Sequence, residues 1–206
     1  MSPGGPEPAG RGAPTASPEL SARFAAPLPR SFYDRPTAAV ARDLLGCWLV
    51  RERLRAPIAA RLVETEAYVA GDPANHAYRG LTERNRSMFG APGTLYVYRI
   101  HQVHCLNAVT RPGQAVLLRA AEAMEAGVGS TTGPGRLARA FGLTRAHDGL
   151  DLVEGPVRIL PRTQRSLRIV RGPRVGISQA RERPLRFLLR DSPAVSRPRP
   201  PAARKP

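Results

Sequence analysis

No stretch of the sequence restricts the fold as tightly as residues 58–69, IAARLVETEAYV. The run reads as a β-strand, and its flanking Leu62, Val63, Ala67 and Val69 place that strand inside the core sheet, not at a solvated edge. Side chains alternate across a strand, so Glu64, Glu66 and Tyr68 project to one side, with neighbouring carboxylates roughly 7 Å apart. A carboxylate in such surroundings must meet a cation, a hydrogen-bond donor or a reacting group, or else it is protonated. Arg119, which closes the apolar run QAVLLRA, is the natural partner. A Glu, an Arg and a bound water make a general-base constellation. Aromatic residues gather close by, with Tyr68 on the same strand, Tyr78 in the following loop, and Tyr96 and Tyr98 alternating along TLYVY. Flat rings near a carboxylate suit a planar, cationic ligand.

The remaining segments supply the sheet around this strand. CWLVRER, TLYVYRI, HCLNAVT and QAVLLRA read as strands, the last two split by the turn Arg111, Pro112, Gly113, and PVRIL, LRIVR, RVGIS and LRFLL are short and β-like. PTAAVARDLLG predicts a helix with Pro36 in its first turn and Gly46 as its stop, and short helices are expected at AAEAMEA and PGRLARAFG. Strands and helices do not alternate regularly, which argues against a doubly wound parallel sheet. The expected fold is α+β: a single domain on a mixed, largely antiparallel curved β-sheet, with flanking short helices and a protruding β-hairpin. Residues 1–27 and 193–206 are rich in Pro, Ala and Gly or charge and read as disordered tails around a body at 28–192.

Charge narrows the function classes. The chain carries 32 basic against 16 acidic residues, a formal net charge of +16. The segment from Arg158 to Arg190 is dense in Arg and holds one acid, Glu182. Such a surplus points to a polyanionic partner, most often nucleic acid. Two Cys do not make a disulfide framework, and neither a secretory leader nor an apolar run of membrane-spanning length is present, so a soluble cytoplasmic protein is expected.

VETEAY, followed in order by ANHAYRG, TERNRSMF, PGTLYVY, HCLN and AVLLRA, and later by RVGIS and RPLRFLL, resembles the 3-methyladenine (alkyladenine) DNA glycosylases of the animal and bacterial type. The resemblance runs colinearly over residues 30 to 192. It implies a monomeric, metal-free and cofactor-free enzyme, acting at the nucleoid of a bacterium without an obligate protein partner. Such an enzyme flips a damaged purine out of double-stranded DNA and hydrolyses its N-glycosidic bond. By that comparison Glu66 is the general base on the attacking water, which Arg119 and the backbone around Val175 help to hold. Tyr68, His76 and Tyr98 form the pocket that sandwiches the base, and Asn107 is a gatekeeping side chain beneath it. Glu64 is expected to be structural or to orient its neighbours.

The sequence departs from the family after Tyr98, where Arg99-Ile100-His101-Gln102-Val103-His104-Cys105 is one residue shorter than the usual pattern. His101 takes the nominal place of the side chain that enters the minor groove and fills the space of the flipped nucleotide, while the shortened hairpin leaves Gln102 and Val103 open as alternatives. His101, His104 and Cys105 also invite a zinc reading, but they diverge to both faces of a strand and no Cys-x-x-Cys or second His pair completes four ligands. Two other classes compete. One is a nucleic-acid-binding protein that has lost hydrolysis, against which the presence of both Glu66 and Arg119 argues. The other is a carbohydrate hydrolase using Glu64 and Glu66, which the basic surplus disfavours. The single Lys, Lys205, sits in the Pro-rich end of the chain, leaving no amine suited to Schiff-base chemistry.

Overall fold

The computed structural model describes residues 26–54, 57–124 and 128–198. Among the described residues three short α-helices, α1 (Arg30–Tyr33), α2 (Thr37–Asp43) and α3 (Pro134–Ala140), flank eight strands. These are β1 (Trp48–Arg51), β2 (Ile58–Tyr68), β3 (Leu95–Ile100), β4 (Val103–Arg111), β5 (Gln114–Ala123), β6 (Val157–Leu160), β7 (Ile169–Gly172) and β8 (Arg186–Leu189). One sheet joins them in the order β3-β4-β5-β2-β1-β6, with β8 bridging β2 and β7. Every pairing among the described residues is antiparallel. The expected α+β domain on a curved, largely antiparallel sheet is therefore what the chain forms, and no helix among the described residues is long and apolar enough to cross a membrane.

β2 is the axis of this arrangement. Its first half pairs with β1 and its second half with β8, while β5 runs along the opposite edge. Register shifts between β2 and β5 at Leu62/Glu64 and Glu64/Thr65 let the strand turn from one partner to the other. One face of β2 looks toward α2, where Thr65 Oγ1 donates to the carbonyl of Ala41 at 2.7 Å within the apolar core. The opposite face carries Glu64 and Glu66. α2 ends at Asp43 with Leu44 as its C-cap, earlier than the expected stop at Gly46; Gly46, at φ +83°, instead turns the chain toward β1, and a Cβ there would meet the Leu167 side chain at 2.9 Å.

Three further expectations fail for identifiable reasons. AAEAMEA was expected to be helical, yet Ala120–Ala123 continue β5, because pairing with Ala60, Arg61, Leu62 and Glu64 outweighs the helix propensity of alanine; residues 125–127 lie outside the described residues. RVGIS does not form a strand; its Val175 and Gly176 are in a loop whose backbone reaches into the centre of the molecule. The tail expected from residue 193 contains Val195 and Ser196, both buried, and Ser196 is tied to Glu64 by two hydrogen bonds. The other parts read as tails, 1–25 and 199–206, lie outside the described residues.

Candidate active site

Glu64 and Glu66 have no solvent exposure, and one guanidinium serves both. Arg119 on β5 lies 2.8 Å from Glu64 Oε1 through Nε and 3.4 Å from Glu66 Oε1 through Nη1. The two acids differ in what else surrounds them. Glu64 accepts from Arg186 Nε at 2.7 Å, from the Ser196 backbone N–H at 2.7 Å and from Ser196 Oγ at 2.9 Å. Its oxygens are thus taken up by β8 and the C-terminal segment, which makes Glu64 the anchor that holds Arg119 in place and not half of a pair straddling a bond.

Glu66 has weaker company. Oε1 accepts the Val175 backbone N–H at 2.9 Å, and Oε2 accepts the Tyr68 hydroxyl at 3.0 Å. Burial pushes its carboxyl above the usual glutamate range; the Arg119 charge, the Val175 N–H and the Tyr68 hydroxyl pull it back, and the Glu64 charge adds to the rise. Glu66 itself stands just behind Tyr68, Arg119 and Val175, which line a cavity of about 480 Å³.

The walls of that cavity are aromatic. Tyr68 stands on β2 and Tyr98 on β3, and His76 comes from the loop that follows β2. That loop is fixed by two asparagines that replace missing secondary structure. Asn75 Nδ2 donates to the carbonyls of Val69 and Gly113, each at 2.9 Å, and Asn85 Nδ2 donates to those of His76 and Gly80 at 3.1 and 3.0 Å. His76 consequently packs edge-on against Tyr98, with ring centroids 4.3 Å apart, and its Nδ1 lies 3.0 Å from the Tyr96 hydroxyl. Burial lowers the His76 pKa, so the imidazole is neutral at neutral pH. Burial likewise raises the tyrosines, Tyr96 to about 12 and Tyr68 and Tyr98 further still, so the walls stay uncharged. Asn107 lies beneath, 3% exposed, its amide donating to the carbonyls of Tyr96 at 3.0 Å and Cys105 at 3.3 Å.

His101 is at the rim. It and Gln102 form the two-residue turn between β3 and β4, with φ of +44° and +70°, the left-handed backbone that a tight hairpin of this twist requires. Ile100 beside them is 45% exposed, an apolar side chain left open at the cavity mouth.

The structure adds a pair that the sequence reading missed. Arg174 and Asp72 both have fully buried side chains, with Nη1 and Oδ2 2.5 Å apart. The same Nη1 donates to the Ala67 carbonyl at 3.1 Å, and the guanidinium carbon sits 4.7 Å from the Tyr68 ring centroid. Arg174 immediately precedes Val175, and Asp72 opens the loop that carries His76, so the pair ties together the two loops bounding the cavity behind Tyr68. Arg174 opens RVGIS, a segment that reads as β-like; an Arg next to apolar residues, as at Arg119, is the signal that could have found it.

A desolvated carboxylate beside an uncharged aromatic cavity, in a chain of net charge +16, suits a hydrolase that acts on a flat ring carried by a polyanion. Comparison with known proteins narrows that class. The model of the methylpurine-DNA glycosylase (MPG) family matches residues 31–193. Relatives named "Putative 3-methyladenine DNA glycosylase" include one from Methanoculleus marisnigri, 46% identical over 82% of this chain and 98% of the relative. Those from Anaeromyxobacter dehalogenans and Myxococcus xanthus are 48% and 46% identical, over 85% and 87% of this chain and 88% and 98% of theirs. The chain belongs to the methylpurine-DNA glycosylase family and is a DNA repair glycosylase, a hydrolase of N-glycosyl bonds with DNA as its substrate.

Proposed function

We propose that this enzyme flips an alkylated or deaminated purine out of duplex DNA into the aromatic cavity and hydrolyses its N-glycosidic bond with a water activated by Glu66, leaving an abasic site. The observation that carries this reading is the position of Glu66: fully buried, and in direct contact with Tyr68, Arg119 and Val175, three residues that line the cavity. A base seated among Tyr68, His76 and Tyr98 brings C1′ of its sugar to the cavity side of Arg119 and Val175. A water held there by Glu66 and Arg119 is then placed for attack. The raised proton affinity of Glu66 suits a general base, and its ionised form stabilises the cationic sugar that develops as the bond breaks.

For a purine alkylated at N3 or N7 the leaving group does much of the remaining work, because that base is already cationic and departs neutral. The neutral His76 sets no second charge against it, and the tyrosine faces attract it. Asn107 is the gatekeeping side chain under the pocket. The hairpin turn supplies the wedge that replaces the flipped nucleotide: His101 by its position, with Ile100 next to it as the apolar side chain such wedges ordinarily offer. In this reading one chain acts alone on damaged double-stranded DNA in the cytoplasm, with water as the only nucleophile, and requires neither metal nor cofactor.

The test is to incubate the protein with N-methylated duplex DNA and to follow free purines by chromatography and the strand on a denaturing gel. Release of methylated purines, with strand breaks only after alkali and no covalent adduct under borohydride, is the expected result. A borohydride-trapped protein–DNA band or prior strand cleavage overturns the water mechanism.

A further inference from the structure

Beside the base cavity runs a second, larger concavity of about 1060 Å³ that shares Val103, Arg119 and Pro134 with it. Its walls are α3 with the residues leading into it, and residues of the C-terminal segment Pro193 to Pro198. Four arginines, Arg119, Arg136, Arg139 and Arg197, line it, and no carboxylate does. Arg136 and Arg139 are three apart on α3 and so lie on one side of the helix. Arg136, Arg139 and Arg197 are exposed and make no ion pair among the described residues, in contrast to Arg119 at the floor. The sequence after Pro198 adds Arg199, Arg204 and Lys205 and no acid.

Guanidiniums of one sign gathered around a groove repel one another unless a polyanion lies between them. The groove is also built to keep its shape. Gly135 sits so close to the hairpin that a Cβ there would lie 2.8 Å from Val103 Cβ, and Val195 and Ser196 are held in the core from the other side. Because Arg119 belongs to both hollows, a chain that passes over Arg119 from the base cavity enters the groove directly.

We propose that this groove seats the phosphodiester strand on one side of the flipped nucleotide, with Arg136, Arg139 and Arg197 as its phosphate contacts. The proposal rests on the reading of the base cavity given above. It makes the footprint on the damaged strand asymmetric: phosphates on one flank of the lesion run through the groove and those on the other do not.

The experiment uses the full chain and a duplex with a single ethenoadenine. Binding is titrated against salt for wild type and for the triple variant Arg136→Ala, Arg139→Ala, Arg197→Ala, and then for wild type on duplexes carrying three methylphosphonates on one flank of the lesion or the other. Each lost phosphate contact removes roughly 0.9 from the slope of log K against log salt, so the variant's slope is expected to be shallower by roughly 2 to 3. Methylphosphonates are expected to weaken binding strongly on one flank only. An unchanged slope, or equal sensitivity of the two flanks, overturns the groove assignment, leaving an acidic protein surface as its alternative occupant. Wild type that releases no base from any damaged duplex refutes the cavity reading instead, a result independent of the slopes.

Discussion

Replacing Asp72 by Asn removes the carboxylate paired with Arg174 at a point where neither side chain reaches solvent. Arg174 retains the Ala67 carbonyl at 3.1 Å and the Tyr68 ring, but its Nε and Nη2 have no hydrogen-bond partner among the described residues, so the guanidinium is poorly compensated without the carboxylate. Removing one member of a buried ion pair costs about 3–5 kcal/mol, and the retained ring contact argues for the lower end. For a protein of this size about 3 kcal/mol corresponds to a fall in Tm of roughly 6–12 °C. Arg174→Met should do at least as much harm, since it leaves Asp72 buried and unpaired. The double variant removes both charges, so it should recover at least half of the summed loss, a large coupling for two residues in contact. Thermal melts of wild type, both single variants and the double at about pH 7.5 complete the cycle. A Tm for Asp72→Asn within about 2 °C of wild type, or strictly additive losses in the double variant, would refute the reasoning that this is a desolvated, mutually dependent pair.

Other expectations follow from the site. The acid limb of kcat/KM should lie above the ordinary glutamate value of about 4.3, because burial raises Glu66 and the base must be ionised to act; a limb at or below about pH 4 contradicts this. The same shift has an opposite consequence for stability. A folded pKa above the unfolded one contributes stability that is present below the unfolded value and lost as pH rises through the folded value. Ionised Glu66 therefore costs stability at neutral pH, and Glu66→Gln should melt higher than wild type there, with the gap closing on acidification. At the hairpin, His101→Ala and Ile100→Ala should slow release from fully paired duplex far more than from single-stranded or mismatched substrates, where unstacking costs less; equal effects on all three would remove the wedge from this turn.

The parts legible in sequence were those governed by local periodicity. The alternation in IAARLVETEAYV put Glu64, Glu66 and Tyr68 on one face, and Arg119 after its apolar run was where a buried counter-charge belonged; both acids do lie against that guanidinium. Aromatic alternation in TLYVY put Tyr96 and Tyr98 on one face of β3, where their ring centroids lie 5.7 Å apart. What stayed hidden depends on contacts distant in sequence. Ala120–Ala123 carry alanines suited to a helix and become strand only because β2 lies alongside. Ser196 reads as tail by composition and is recruited to the core by a carboxylate 132 positions earlier. Asp72 and Arg174 give no sign in the linear sequence that they meet, since the fold alone brings their two loops together.

The most direct test of the proposed chemistry is single-turnover base release by Glu66→Gln on a duplex containing one alkylated purine, measured with DNA affinity and with Glu64→Gln in parallel. Loss of the general base should lower the release rate by about 10²–10⁴-fold while affinity stays within about tenfold, because the phosphate contacts are untouched. Release at near wild-type rate by Glu66→Gln, or its survival there alongside loss in Glu64→Gln, would mean that the activating carboxylate is not Glu66.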